Sequence, residues 1–276
     1  MNNIPLIIMA AGVSSRMKKS RYNLKLTNSQ IEQSKIRTKS FIELGHDKET
    51  LIFYLFKNAL EADVKNFYII IAKDSKEFQN YLIGISKRLN INVNIVIQDY
   101  YGREKPLGTA DAILQAMNQY VELKESRFLV CNSDNLYSSE VFQILIQDSK
   151  NNSMIGYDSK CLNFSNERIS TFAILKTDKD YLSEIKEKPN ISLVENEEEK
   201  ILISMNIFSF IGNKVYNYFD KCPIHKQRGE KEIATVIQKM ISDNKKSIKV
   251  YSRCEHVPDL TFKDDIHLIQ KYLKEN

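Results

Sequence analysis

The sequence predicts an α/β fold, with a mostly parallel sheet covered by helices on both faces and an antiparallel β extension in the second half. Two observations carry this. Up to about residue 150, short β-branched apolar runs alternate with amphipathic helical stretches, the pattern of strands joined by crossover helices. Beyond that point apolar runs follow one another with little helix between them, as antiparallel strands do.

Taken in order, residues 4–10 read as a buried strand, 51–62 as a helix, 67–72 as a strand and 76–89 as a helix. Residues 93–98 read as a strand, 110–120 as a helix, 127–131 as a strand and 139–148 as a helix. In the second half 169–176, 181–187 and 200–211 read as strands, and 247–252 as another between helices at 230–242 and 262–273. Residues 17–38 and 190–199 read as loops, the latter a solvated acidic run. The basic stretch 18–39 is long for a loop and reads as a lid over an anion or as a mobile solvated segment. On a sheet of this type ligands sit at the carboxyl ends of the strands, so chemistry is expected in the loops that follow them.

Composition narrows the function. With 13 Phe and 14 Tyr in 276 residues the chain can fill a sizeable core, which excludes global disorder. Forty Lys and Arg against 35 Asp and Glu leave +5, a balance that suits small anionic ligands and does not call for nucleic acid. The apolar run 4–13 is too short to span a bilayer, and no basic residue precedes it as in a secretory signal. Cys131, Cys161, Cys222 and Cys254 are widely spaced, so the expectation is reduced thiols in a cytoplasmic protein without a membrane partner. His46, His225, His256 and His267 show no metal-ligand spacing and read as structural or surface residues.

The first strand runs into MAAGVSSRMKKS, where Ala10, Ala11 and Gly12 would let backbone N–H groups approach an oxyanion and Arg16 adds a forked cation. The plain alternative is a small-residue turn with a surface arginine. KSFIEL opens with Lys39. QDYYGREKPLGTADAI carries Gln98, then Gly108 and Thr109 where a helix starts. FLVCNSDNLYS brings Asp134 to the edge of the sheet, EIKEKP supplies Glu187 and Lys188, and EHVPDLTFKDDI supplies Asp259. Asp134 and Asp259 each precede a helix closely enough to be its N-cap instead, Gln98 can be an ordinary strand-end residue, and Glu187 with Lys188 an exposed pair.

In this order the segments resemble the sugar-1-phosphate nucleotidylyltransferases, a Rossmann-like family, over almost the whole chain. Residues 9–17 resemble its LAAGxGTRM start, 39–44 its lysine-anchored strand, Gln98 with 107–110 its Q…LGTA segment, and 129–135 its LVxxGD strand end. Glu187, Lys188 and Pro189 match its EKP triplet, 206–210 its GIYVF strand, 228–237 its RGEYEITDAI helix and 257–266 its WxDIGTPEDL segment. The resemblance implies one nucleotidyltransferase domain over 1–276, with 1–150 as the nucleotide half and 151–276 as the sugar-phosphate half. It implies Arg16 and Lys39 on the triphosphate and Asp134 with Asp259 on Mg2+. It implies Ala10, Ala11, Gly12, Gln98, Gly108 and Thr109 around the nucleotide, and Glu187, Lys188 and Asn206 around the sugar phosphate. The substrates it implies are a nucleoside triphosphate, with Gln98 leaning toward UTP or dTTP, and a sugar-1-phosphate; its members also form homo-oligomers.

The departures from the family pattern gather on the sugar side. Ala173 and Asn206 stand where glycines are common, Ser204 where an asparagine is, and Val257 where an aromatic is, while Ser14 and Ser15 replace Gly and Thr in the first loop. Two other readings follow: a non-sugar acceptor such as phosphocholine, and a non-catalytic nucleotide- or sugar-phosphate-binding subunit.

Overall fold

The computed structural model describes residues 4–22, 26–44, 48–187, 189 and 201–275. Lys188 and His46 lie outside the described residues, as does the acidic run 190–199. The first half follows the predicted alternation: β1 (Leu6–Met9), α3 (Leu51–Glu61), β2 (Asn66–Ala72), α4 (Lys76–Leu89), β3 (Asn92–Gln98), α5 (Thr109–Gln119), β4 (Arg127–Asn132) and α6 (Ser139–Gln147). β3, β2, β1 and β4 lie side by side and all parallel. Because β1 has β2 on one flank and β4 on the other, the chain direction across the sheet reverses there. The loops after β1 and β4 therefore part to leave a crevice, and these are the loops that carry Gly12 and Asp134.

The second half adds β5 (Asn152–Asp158), β6 (Ala173–Asp178), β7 (Tyr181–Lys186), β8 (Leu202–Ser204), β9 (Ile207–Ile211) and β10 (Ile248–Arg253), with α8 (Gly212–Asp220), α9 (Ile233–Asp243) and α10 (Asp265–Glu275). β9 pairs antiparallel with β4 and joins the two halves; β6, β7 and β8 form the expected antiparallel extension, and β5 pairs with both β9 and β10. Strand alternation sends Leu6 and Ile8 to one face, against α3, α4 and α6, and Ile7 to the other, against α5, α8 and α9.

Several expectations need correction. Residues 17–38 are not a loop: α1 (Ser15–Lys19) and α2 (Asn28–Ile36) occupy much of them, and Thr27 closes a capping box with Gln30. α2 escapes a periodicity search because its buried positions are Gln30, Gln33 and Ser34, held by polar contacts such as Gln33 Oε1 accepting from the Glu43 N–H. β5 was hidden by its polar start, which is buried nonetheless: Asn152 accepts from the Ile211 N–H and donates to the Ser247 carbonyl. The stretch 169–176 begins in a short helix, α7 (Asn166–Ile169), and 200–211 breaks into two strands at Asn206, whose φ is 57°. Lys39–Phe41 is a 3-10 turn, not the start of a strand. Cys161 and Cys254 form a disulfide, against the expectation of free thiols; 93 positions in sequence separate two residues whose Cα atoms lie 5.1 Å apart. Cys131 and Cys222 are free and buried.

Candidate active site

Beneath the crevice lies a third, small apolar cluster of Met17, Ile42, Leu44, Leu51, Leu136, Leu260, Ile266 and Ile269. Each of four site residues stands within three positions of one of its members: Arg16 by Met17, Lys39 by Ile42, Asp134 by Leu136 and Asp259 by Leu260. Burying that cluster is what draws four distant segments to one place. Backbone bonds fix the register of two of them, since Leu260 N–H donates to the Asp134 carbonyl at 2.8 Å and Leu136 N–H to that of Pro258 at 3.0 Å.

A cavity of about 430 Å³ opens at the carboxyl ends of β1 and β4. Its lining includes Ala10, Ala11, Gly12 and Arg16 from the turn after β1, Lys39 and Asp134, and Gln98, Gly108 and Thr109 from the end of β3 and the start of α5. All the residues expected around the nucleotide are thus in one place. Ser14 begins α1 in the left-handed region at φ 55°, a conformation that favours glycine, which is why glycine is common there in the resembling family. Its Oγ accepts from the Lys39 N–H at 3.3 Å, and Lys39 Nζ in turn donates to Asp134 Oδ2 at 2.8 Å. Gln98 is buried, and its Nε2 is a donor with no protein partner among the described residues. A donor held dry without an acceptor is costly unless a ligand supplies one.

Gly108, which lines the cavity, also closes against protein backbone. Its φ is 115°, and a Cβ there would stand 2.4 Å from the Lys231 carbonyl oxygen, so it is protein backbone that needs the missing side chain. Lys231 N–H donates to the Leu107 carbonyl and Ala110 N–H to that of Lys231, which fastens the segment before α9 to the start of α5. Thr109 Oγ1 accepts from the Ile233 N–H in the same joint.

A second, smaller cleft of about 120 Å³ adjoins the cavity, and Arg16 and Asp134 line both. Here lie Glu187, Asn206 and Asp259, together with the departing positions Ala173 and Ser204. Asn206, like Ser14, holds a positive φ that glycine or asparagine tolerates best, and its N–H donates to Ser204 Oγ. Glu187 is half-buried and faces Arg228 at 3.9 Å.

Neither aspartate caps a helix. Asp259 is 6% exposed; its Oδ1 accepts from Asn135 Nδ2 at 3.1 Å and its Oδ2 from Thr261 Oγ1 at 2.8 Å and Arg168 Nη2 at 2.6 Å. Burial pushes its carboxyl up, and the charge of Asp134 pushes the same way, against Arg168 and Lys39. Two carboxylates that repel each other, one of them buried, are the setting a divalent cation relieves. Asp259 Oδ1 keeps a lone pair beyond its one hydrogen bond. Among the described residues no group of three or more acidic, His or Cys side chains could hold a metal. Asp134 and Asp259 are a pair of carboxylates, the kind of donor set that Mg2+ accepts when water and substrate phosphate complete its shell.

Arg168, Asn135, Thr261 and Asp265 were not singled out from the sequence. Asn135 and Thr261 flank marked residues and were within reach; Arg168 sits 91 positions from Asp259, just before the stretch 169–176 read as strand, and nothing local signals it.

The chain matches the family model described as nucleotidyl transferase over residues 34–260. Among solved structures it is similar to a UDP-glucose pyrophosphorylase complexed with UDP-glucose, at 16% identity and a TM-score of 0.72, covering 99% of each chain. It is also similar to a putative glucose-1-phosphate thymidylyltransferase from Bacillus anthracis in complex with a sucrose, at 15% identity and a TM-score of 0.73, covering 99% of this chain and 96% of that one. No curated protein matches it. At such identity the two structures speak for the fold, and they agree with it from end to end. The family match spans most of the chain and takes in Lys39, Asp134 and Asp259, three of the four residues beside the small apolar cluster, so the resemblance drawn from the ordered motifs is borne out: the chain belongs to the nucleotidyl transferase family.

Proposed function

We propose that the chain joins a nucleoside triphosphate to a sugar-1-phosphate, releasing pyrophosphate and forming a nucleotide sugar. The observation that carries this is the pair of adjoining cavities with Arg16 and Asp134 on their common boundary. An in-line displacement needs its two anions side by side with cationic and metal-binding groups between them. In this reading a phosphate oxygen of the sugar-1-phosphate attacks the α-phosphorus, and the bond to the pyrophosphate oxygen breaks. The phosphate dianion needs no general base. Arg16 and Lys39 hold the triphosphate and the charge that grows on the leaving group; Glu187 and Asn206 serve the sugar, with Lys188 assigned to its phosphate from the sequence alone. Asp134 and Asp259 would hold Mg2+, which when bound neutralises phosphate charge.

Gln98 Nε2 offers a donor to a carbonyl of uracil or thymine. The uridine and thymidine enzymes among the similar structures favour UTP or dTTP as the substrate. We read 1–276 as one domain, with a nucleotide half and a sugar-phosphate half. Its charged phosphate substrates favour a cytoplasmic setting; no helix among the described residues is long and apolar enough to cross a membrane. A second reading, transfer to a non-sugar phosphate, draws on Ala173, Ser204 and Asn206 all lining the smaller cleft.

The test is pyrophosphate release with Mg2+, each common nucleoside triphosphate, and a panel of sugar-1-phosphates beside phosphocholine. Turnover with a sugar-1-phosphate that is lost in Asp134→Asn, with the fold retained, supports the reading. Turnover only with phosphocholine selects the second, and no turnover with any pair refutes both.

A further inference from the structure

Arg168 belongs to none of the motifs that mark the site, yet it pairs with two buried carboxylates, one of them in the cleft. Its guanidinium spans two carboxylates: Nη1 donates to Asp265 Oδ1 at 2.6 Å, and Nη2 to Asp265 Oδ2 at 2.9 Å and Asp259 Oδ2 at 2.6 Å. Nη2 also donates to the Asp259 backbone carbonyl at 2.8 Å, so one group holds both the side chain and the main chain of that residue. The rings of Phe164 and Phe262 stand 4.7 and 5.6 Å from the guanidinium carbon and limit its movement. Asp265 is anchored in turn, its Oδ2 accepting from the N–H groups of Thr261 and Phe262 at 2.7 and 2.6 Å.

We propose that Arg168 is the positioning residue for Asp259, fixing which of its carboxylate oxygens is presented to the metal beside Asp134. Thr261 Oγ1 and Arg168 Nη2 both donate to Oδ2, so that oxygen is already engaged by two protein donors while Oδ1 takes one. Oδ1, on the side of Asn135, is the oxygen that can serve as a ligand. A lysine cannot do the same work, because a single ammonium lacks the planar fork that serves Asp259 and Asp265 together. Partners that orient a ligating carboxylate are worth about 10- to 100-fold in metal affinity. The inference rests on the metal reading above and adds to it the residue that sets the ligand's geometry.

Charge alone predicts the opposite sign. Arg168 is a cation competing for Asp259, so if it did nothing but pair with it, its removal would tighten metal binding. The probe is Mn2+, measured by electron paramagnetic resonance on the full chain without substrate, with circular dichroism to confirm folding. The variants are Arg168→Lys, Arg168→Gln, Asp265→Asn and Asp259→Asn. The expected result is roughly 10- to 100-fold weaker Mn2+ binding in Arg168→Lys and Arg168→Gln, and a smaller loss in Asp265→Asn, where Arg168 keeps only its Asp259 anchor. Unchanged or tighter binding in folded Arg168→Lys and Arg168→Gln, beside weakened binding in Asp259→Asn, overturns the proposal and leaves the metal reading standing. Unchanged binding in Asp259→Asn overturns both. Should the Arg168 variants fail to fold, Asp265→Asn decides, because it weakens the second anchor of Arg168 and leaves the Asp259 carboxylate itself in place: weaker Mn2+ binding in the folded variant supports the proposal, and unchanged or tighter binding overturns it.

Discussion

Lys39 Nζ and Asp134 Oδ2 meet at 2.8 Å although 95 positions of chain lie between them. The pair links the turn after α2 to the end of β4, and it sits on the wall of the larger cavity. Both side chains are mostly out of solvent, at 11% and 24% exposure, so neither is an ordinary surface ion pair. Asp134 is thus shared between a lysine that holds it in place and the metal it is assigned to bind.

That sharing makes the two residues non-additive. Lys39→Ala and Asp134→Ala are each expected to lower kcat by about 10²- to 10³-fold, the usual cost of removing one preorganised charged group. A double-mutant cycle on turnover should show coupling of about 0.5–3 kcal/mol. Strict additivity, with both variants folded, would mean that the contact seen here is absent in the working enzyme.

Gly108 gives a prediction about architecture. Gly108→Ala sets a methyl group against the Lys231 backbone and strains a residue at φ 115°. The expected cost is about 1–3 kcal/mol from the backbone conformation alone, since the backbone oxygen it meets cannot rotate away. Thermal unfolding should show a Tm lower by several degrees. Gly12→Ala is the contrast: a Cβ there meets nothing within 4 Å, so the Tm should hold. A Gly108→Ala protein as stable as the parent would contradict the joint between α5 and α9.

What could be read from the sequence divides along a physical line. Segments whose burial is apolar and periodic, such as α4 and β2, were legible to within a residue, because the hydrophobic pattern is the burial pattern. The residues lining the larger cavity were marked by the ordered motifs of the family resemblance, and the turn after β1 and the ends of β3 and β4 fall at one edge of a parallel sheet. α2 and β5 were not legible, since Gln30, Gln33 and Asn152 are buried through hydrogen bonds that a hydropathy pattern does not contain. Arg168 and the Cys161–Cys254 pair depend on contacts between segments more than ninety positions apart, for which no local signal exists.

The disulfide provides a third prediction. It closes a loop of 93 positions, for which chain entropy gives an upper value of about 4–5 kcal/mol of stabilisation. A reductant should lower the Tm, and a Cys161→Ser/Cys254→Ser variant should start lower and ignore the reductant. Cys131 and Cys222 are buried and free, so they leave this comparison clean. An identical Tm with and without reductant in the parent would show that the bond is absent in solution.

His256 carries the last prediction, on pH. It is packed against Phe164 and Tyr272, and its Nδ1 accepts from the Asn163 N–H at 3.0 Å. Protonating Nδ1 would turn that acceptor into a donor facing a donor. Burial first, and then the charge of Arg168, hold the imidazole below its usual range. The folded protein therefore keeps this group neutral while the unfolded chain takes up a proton near pH 6.5. Stability from this group is complete above pH 6.5 and declines as the pH falls below it toward the folded value, because the unfolded state binds more protons there. Asp148, whose carboxyl is lowered by hydrogen bonds from Asn151 and Lys150, gives a loss in the same direction at lower pH. The two are separated by His256→Gln, which cannot titrate. Chemical denaturation at pH 7.5, 6.5 and 5.5 should show a smaller fall in stability for His256→Gln than for the parent, and equal falls would mean that His256 has the same pKa folded and unfolded.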